Sequence, residues 1–152
     1  MKVLLVEDEE HKAIDLTKRI ARLGIGEESL TTVQSVREAV LLVVANEYDL
    51  IILDMALPTF SKTGSKDNVG GEAQPGGGVE ILRALDASGR KSRIIVVTQY
   101  PEVVINGEKA KPHQVAKIVA ERYRQIVLGT VIYSYNTPEW ETAFDNIIAR
   151  IK

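Results

Sequence analysis

The sequence contains no cysteine and only two histidines, His11 and His113. Without cysteine the chain has no disulfides, no thiol catalysis and no thiolate metal site. Two imidazoles alone do not favour a zinc site either. The function must therefore be sought in other side chains.

Long apolar runs and blocks of like charge are also missing. The first apolar run, Val3–Val6, is followed at once by charges and is too short for a signal peptide or a membrane span. The 19 basic and 21 acidic residues give a net charge of -2, and no Lys/Arg block indicates a nucleic-acid tail. We therefore expect a cytoplasmic protein with no membrane segment and no direct contact with DNA or RNA.

What is present is the composition of an ordinary globular domain. The 152 residues are 45% hydrophobic and 26% charged, which predicts a single domain over residues 1–152 with its own core. The sequence leaves open whether this domain stands alone or is part of a longer protein.

Short apolar runs rich in β-branched residues predict buried strands. Because they lack polar alternation, they are typical of strands covered on both faces, as in a parallel sheet. The predicted strands are Val3–Val6, the weaker Leu30–Val33, Leu50–Leu53, Ile94–Val97 and Val127–Tyr133.

Helical patterns fill the gaps between these runs. Ser35 and Glu38 form a capping box, and Pro112 is typical of a first helical turn. Asn136 or Thr137 can cap the last helix. The alternation predicts an α/β fold: a doubly wound, five-stranded parallel sheet with flanking helices. Of the orders such sheets adopt, we expect the flavodoxin-like order 2-1-3-4-5.

Two stretches interrupt this pattern. The segment Thr59–Gly78 is rich in glycine, and we expect a long flexible loop that covers the neighbouring site part of the time. The stretch Pro101–Lys111 is predicted to be irregular.

Three carboxylates follow predicted strands at one edge of the sheet. Glu7 and Asp8 end the first strand and Asp54 ends the third, its neighbour at the switch point where ligands bind. Carboxylates held together repel unless a cation joins them, and hard oxygen ligands favour Mg²⁺. Thr98 ends the fourth strand and places a hydroxyl on the same rim.

This set of groups suits phosphoryl transfer, with a carboxylate as nucleophile and a metal that neutralises phosphoryl oxygens. Each residue also has a simpler interpretation: helix-start charges for Glu7 and Asp8, a turn residue for Asp54, and a common strand residue for Thr98. Their joint placement at strand ends favours a site.

Three segments carry a resemblance to a known family. They are VLLVEDE at 3–9, DLIILDMALP at 49–58 and IIVVT at 94–98. Together they resemble the CheY-like receiver domain of two-component response regulators, over nearly the whole chain.

The resemblance implies that Asp54 is phosphorylated and that Glu7, Asp8, Asp54 and the backbone carbonyl of Ala56 hold Mg²⁺. Thr98 would hydrogen-bond the phosphoryl group and act in the switch. The implied partner is a sensor histidine kinase or a phosphotransfer protein. Any catalysis would be limited to the domain's own phosphorylation and dephosphorylation, without turnover of an external substrate.

The sequence departs from the family where a Lys-Pro pair normally follows the last strand. Either Tyr133 or Ser134 falls at the lysine position, and neither supplies a cation. The Lys111-Pro112 pair precedes a helix and is interpreted as its start. Gln99 follows Thr98 where a small residue is usual.

A compensating cation could come from the long loop, where Lys62 and Lys66 are available, although such charges usually serve solvation. The departures keep a second hypothesis open: a pseudo-receiver, the same fold used as a phosphorylation-independent interaction module. A distant third is a Toprim-like metal-dependent nuclease fragment. It lacks the required Asp-x-Asp pair, because Met55 and Ala56 follow Asp54.

The resemblance also implies an interaction surface on the fourth helix, the last strand and the last helix, which could form a homodimer. Aromatic residues with polar groups are enriched where proteins meet. Here we expect Tyr123 and Tyr135 to be exposed, whereas Trp140 continues an apolar helical stripe and belongs to the core, and Tyr133 could be buried at the end of its strand.

Overall fold

The computed structural model describes residues 1–57 and 77–151. Strands and helices alternate through most of this length, and a short 3₁₀ turn spans Glu27–Ser29. The elements in chain order are β1 Val3–Val6, α1 Glu10–Arg22, β2 Leu30–Val33, α2 Val36–Ala45, β3 Leu50–Leu53, α3 Val79–Ala87, β4 Arg93–Thr98, β5 Val103–Ile105, β6 Glu108–Ala110, α4 Pro112–Tyr123, β7 Ile126–Ile132 and α5 Glu139–Ala149.

The main sheet has five parallel strands in the order β2-β1-β3-β4-β7. This is the predicted 2-1-3-4-5 arrangement, in which the fifth predicted strand is β7. Both faces of the sheet are covered. Leu4 and Val6 belong to a core that includes residues of α2, α3 and α4, whereas Val3 and Leu5 belong to a core that includes residues of α1 and α5. Successive side chains therefore point into opposite cores, which explains the unbroken apolar runs.

The stretch predicted to be irregular, Pro101–Lys111, contains a regular element. Strands β5 and β6 pair antiparallel in a two-stranded hairpin. Asn106 and Gly107 form its turn with positive φ angles of 54° and 80°, as a tight hairpin turn requires. The Asn-Gly pair beside β-branched residues is a strong local signal for a hairpin, so the prediction was wrong where the sequence carried the information.

The helix starts follow the predicted signals with one exception. Ser35 caps α2 by accepting a hydrogen bond from the Glu38 N–H at 3.3 Å. Pro112 opens α4 with Lys111 as the N-cap residue, so the Lys-Pro pair is a helix start. The last helix begins later than expected: its N-cap is Pro138, and no side chain caps it.

Most of the predicted loop 59–78, including Lys62 and Lys66, lies outside the described residues. Gly77 and Gly78, the first described residues at the end of this loop, lie against the segment that follows β3. The Gly78 N–H donates to the Met55 carbonyl at 2.8 Å, and a Cβ added to Gly78 would lie only 2.8 Å from the Met55 Cα. The absence of a side chain here allows α3 to start in contact with the segment that follows Asp54.

Within the described ranges, no helix is both long enough and apolar enough to span a lipid bilayer.

Candidate functional site

The three predicted carboxylates meet at the carboxyl edge of the sheet. Glu7 and Asp8 follow β1 and Asp54 follows β3, and these strands pair in register with Val6 opposite Leu53. One oxygen from each carboxylate lies within 4.8 Å of the others. Glu7 and Asp54 are buried, while Asp8 is partly exposed. The structure therefore assembles the acidic cluster that the sequence predicts.

A fourth residue in the cluster was missed by the sequence analysis: Lys12, in the first turn of α1. Its side chain is 0% exposed. Its Nζ lies 2.7 Å from Glu7 Oε1 and 3.2 Å from Asp54 Oδ2. A buried ammonium group thus binds two of the three carboxylates.

The contacts of Lys12 match the donor capacity of an ammonium group. Besides the two carboxylates, Nζ donates to the Val97 carbonyl at 3.1 Å. A lysine ammonium has three N–H donors and no acceptor, so all three donors have partners here. The partners follow β1, follow β3 and lie in β4, so a single side chain links three neighbouring strands.

A sequence signal for Lys12 did exist. It lies four and eight positions before Leu16 and Ile20, the buried stripe of α1. Positions four apart share one face of a helix. A lysine on an apolar face is almost never buried without a partner, and the nearest acidic strand end is Glu7.

Burial dominates the electrostatics of the cluster. It raises the pKa of Glu7 to about 8, although Lys12 acts in the opposite direction. Burial likewise raises the pKa of Asp54 above its ordinary value against the effect of Lys12. For Lys12, burial alone would lower the pKa, but Asp54 and Glu7 together raise it above the ordinary value. Lys12 therefore stays charged.

The Asp54 carboxylate is held at both oxygens. Oδ1 accepts from the Ala56 N–H at 3.0 Å, and Oδ2 accepts from Lys12. The first bond fixes the turn that carries Ala56, the residue whose carbonyl the family resemblance implicates.

Thr98 lies at the same edge, at the end of β4, and is buried. Its hydroxyl oxygen accepts from the Tyr100 N–H at 3.1 Å. Thr98 and Ala56 line one open cavity of about 340 Å³, which the β5–β6 hairpin borders through Val103 and Lys109. The cavity therefore opens on the hairpin side to Thr98 and to the segment that follows Asp54, while the three carboxylates are not part of its lining.

No family model matches the chain. It is 29% identical over 136 residues to the Detocs response regulatory protein DtcB of Vibrio alginolyticus, covering 88% of this chain and 89% of that protein. It is similar to the solved structure of response regulator TrrA from Thermotoga maritima in complex with Mg²⁺-BeF, with a TM-score of 0.57, 20% identity and coverage of 97% and 99%. It is also similar to the chemotaxis protein CheY4 of Vibrio cholerae, with a TM-score of 0.61, 16% identity and coverage of 99% and 98%.

The chain has the receiver fold of response regulators. Its fold class and its likeness to receiver domains are as the sequence predicted.

The structure shows which of the two candidates after the last strand, Tyr133 or Ser134, faces the site. Tyr133 follows β7 directly, is buried, and donates its N–H to the Thr98 carbonyl at 2.8 Å. Its ring centroid lies 5.9 Å from Lys12 Nζ. Ser134 is exposed. Tyr133 is therefore the residue that faces the site at the end of the last strand.

Gln99, the other departure from the usual receiver pattern, forms a hydrogen bond with the segment between β1 and α1. Its Nε2 donates to Glu9 Oε2 at 2.8 Å, two residues beyond Glu7. The large side chain thus lies between the end of β4 and the start of α1.

The aromatic residues of the α4–β7–α5 face divide differently from the prediction. Tyr135 is 62% exposed and Trp140 is buried, as expected. Tyr123 is only 5% exposed, so the prediction of its exposure was wrong. Its hydroxyl donates to Asn106 Oδ1 at 2.8 Å in the hairpin turn, and this contact could not be foreseen without the hairpin.

Proposed function

We propose that this receiver-fold chain is a phosphoacceptor that takes a phosphoryl group on Asp54 in two-component signalling. The observation that carries the proposal is the cluster of Glu7, Asp8 and Asp54 with a buried lysine in contact with Asp54. Transfer of a phosphoryl group to a carboxylate oxygen requires a nucleophilic carboxylate beside metal-binding and cationic groups. These groups stabilise the negative charge that the phosphoryl oxygens carry during the whole reaction.

The donor set fits Mg²⁺. It consists of carboxylate oxygens, the ligands that Mg²⁺ prefers, and it lies at the open edge of a sheet where water can complete the coordination. Glu7, whose pKa burial raises to about 8, would lose its proton on binding the ion, because a carboxylate must be ionised to serve as a metal ligand. Glu7, Asp8, Asp54 and the Ala56 carbonyl would hold the ion, and its chemical contribution would be to neutralise charge on the phosphoryl oxygens.

The remaining residues have defined roles in this proposal. One oxygen of Asp54 attacks the phosphorus of the donor, the bond from phosphorus to the donor's leaving group breaks, and that group leaves with the electron pair. The Thr98 hydroxyl donates to a phosphoryl oxygen once it is present. The domain would act on itself and turn over no external substrate.

The phosphoryl donor would be a sensor histidine kinase or a phosphotransfer protein, as the receiver fold implies. The phosphorylation would take place in the cytoplasm. The α4–β7–α5 face would carry the response, in a homodimer or with another protein. Ile132 at the end of β7 is an exposed apolar side chain on this face and supports that assignment.

The pseudo-receiver is the second candidate, and one observation favours it. Lys12 occupies the metal-binding carboxylates from inside the protein, which could hold the site in a fixed state without phosphate. In that case the fold would serve as an interaction module whose surface is controlled by partners.

Mass spectrometry of the intact protein distinguishes the two candidates. We expect incubation with acetyl phosphate and Mg²⁺ to add one phosphoryl group to the wild-type protein but not to Asp54→Asn. Asp49→Asn, a change at an exposed carboxylate on the amino side of β3, is the matched control and should be modified like wild type. If neither acetyl phosphate nor a phosphorylated histidine kinase modifies the wild-type protein, the pseudo-receiver is the remaining candidate function.

A further inference from the structure

We propose that Lys12 is a catalytic residue of this domain: its ammonium group contacts the phosphoryl group on Asp54 and replaces the lysine that receivers carry after the last strand. The proposal rests on the phosphoacceptor function proposed above. It assigns to α1 a role that the family resemblance assigns to the opposite side of the site.

The first support is the position of the ammonium group before any phosphate arrives. Lys12 Nζ already donates to Asp54 Oδ2 at 3.2 Å. A phosphoryl group attached to Asp54 brings oxygens next to this donor. The ammonium group can exchange the carboxylate oxygen for a phosphoryl oxygen with a small displacement, because its other two bonds do not involve Asp54.

Those two bonds are the second support. Glu7 Oε1 at 2.7 Å and the Val97 carbonyl at 3.1 Å hold the ammonium group from β1 and β4. A donor held by such anchors is preorganised, and preorganised donors stabilise developing charge most effectively in sites shielded from water. The side chain is 0% exposed, so water does not compete for its donors.

The third support comes from Tyr133, the buried residue that directly follows β7. Its hydroxyl donates to Asp15 Oδ2 at 2.5 Å, so the phenol points toward α1, and a neutral phenol supplies no positive charge to a phosphoryl group. Its ring lies beside Lys12 at 5.9 Å, a distance suited to a cation–π contact. The positive charge therefore comes from a lysine in α1, and the residue after β7 is an aromatic side chain that packs beside it.

A competing cation also lies near the site. Lys109 lines the cavity shared by Ala56 and Thr98, but it is exposed on the hairpin and has no hydrogen bond to the acidic cluster among the described residues. The loop lysines Lys62 and Lys66 lie outside those residues. The experiment must therefore separate Lys12 from cations that approach from the open side.

The reaction balances without proton transfer from Lys12. With acetyl phosphate as donor, the bond between an Asp54 oxygen and phosphorus forms as the bond between phosphorus and the acetate oxygen breaks, and acetate leaves with its electron pair. Lys12 keeps its protons and donates hydrogen bonds only. Its contribution is to stabilise the negative charge on the phosphoryl oxygens.

The test compares Lys12→Met with Lys18→Met, the same change at an exposed position on the same helix. Phosphorylation by acetyl phosphate at saturating Mg²⁺ is followed by mass spectrometry. We expect Lys12→Met to react about 100-fold more slowly, the order found when one donor to developing charge is removed. Lys18→Met should react at the wild-type rate. Circular dichroism and thermal unfolding establish that each variant is folded.

A relocated lysine supplies the second arm. The double variant Lys12→Met/Tyr133→Lys places the ammonium group where other receivers have it, and it should recover at least part of the lost rate. A third experiment uses only the wild-type protein and therefore holds even if Lys12→Met does not fold. In a crystal structure of the wild-type protein with Mg²⁺ and beryllofluoride on Asp54, Lys12 Nζ should lie within hydrogen-bond distance of a fluorine atom.

The outcomes separate the two proposals. A wild-type protein that is phosphorylated, combined with an unchanged rate in Lys12→Met, would overturn the role of Lys12 and leave the phosphoacceptor function intact. The same conclusion would follow if Lys109 or a loop lysine contacted the beryllofluoride and Lys12 did not. A wild-type protein that neither accepts phosphate nor binds beryllofluoride would overturn both.

Discussion

The hydroxyl of Tyr133 donates a hydrogen bond to Asp15 Oδ2 across 2.5 Å, joining the end of β7 to α1. The two residues are 118 positions apart in the chain. Burial raises the pKa of Tyr133, and the bond to Asp15 raises it further, so the phenol keeps its proton and remains the donor. This bond holds the ring beside Lys12.

Tyr133→Phe removes this bond and keeps the ring. We expect the free energy of unfolding to fall by about 1–2 kcal/mol, because a hydrogen bond to a charged group is lost. Tyr135→Phe, at an exposed neighbour, should change it by less than about 0.5 kcal/mol. Urea denaturation of both variants measures the difference, and equal stabilities would show that the bond contributes nothing.

Charge balance in the acidic cluster gives opposite effects for two substitutions in metal-free protein. Asp54→Asn removes one of two carboxylates that share a single ammonium group, so its melting temperature in EDTA should exceed that of wild type. Lys12→Met leaves both carboxylates without that partner and should cost about 3–5 kcal/mol. Calorimetric melting curves test the pair, and a lower melting temperature for Asp54→Asn would contradict the charge-balance argument.

Divalent metal binding should depend on Asp8. Titration calorimetry with Mg²⁺, or relaxation measurements with Mn²⁺, should show one weak site that Asp8→Ala abolishes, because the substitution removes the partly exposed carboxylate of the cluster. Glu10→Ala, at an exposed acidic residue at the start of α1, is the matched control and should bind like wild type. Undiminished binding by Asp8→Ala would remove this residue from the site.

The close approach of α3 to the segment after Asp54 should make Gly78 intolerant of a side chain. In Gly78→Ala the new Cβ would meet the Met55 Cα at 2.8 Å, so we expect a loss of about 1–3 kcal/mol in the free energy of unfolding. In Gly26→Ala the nearest atom is the carboxylate end of the exposed Glu28, which can move away. Denaturant titrations should therefore separate two identical substitutions, and a fully stable Gly78→Ala would show that the contact relaxes.

The two tyrosines expected at the interaction face should now behave differently. Tyr123→Ser should cost about 3 kcal/mol, because Tyr123 is buried and bonded to Asn106. Tyr135→Ser should leave stability within about 0.5 kcal/mol of wild type and weaken self-association if the face forms a homodimer. Thermal unfolding and sedimentation measure the two effects. A wild-type protein that stays monomeric at high concentration would leave only a hetero-partner for this face.

Much of the fold could be predicted because its signals are local. The apolar runs, the Ser35 cap and the first-turn Pro112 each act within a few residues, and the alternation of strands with helices implies parallel crossovers. The acidic cluster was also predictable, since Glu7, Asp8 and Asp54 each follow a strand and parallel strands end at one edge. The Asn106-Gly107 hairpin was equally local, and only its signal was overlooked.

The sequence by itself determined where the carboxylates lie, and the tertiary structure decided what balances their charge. Lys12 reaches Asp54 and the Val97 carbonyl across 42 and 85 positions of the chain. Whether Tyr133 or Ser134 faces the site depends on which side chain points into the interior when β7 pairs with β4. Both outcomes depend on packing between distant segments, because a buried charge takes its partners from whichever strand ends the fold places around it.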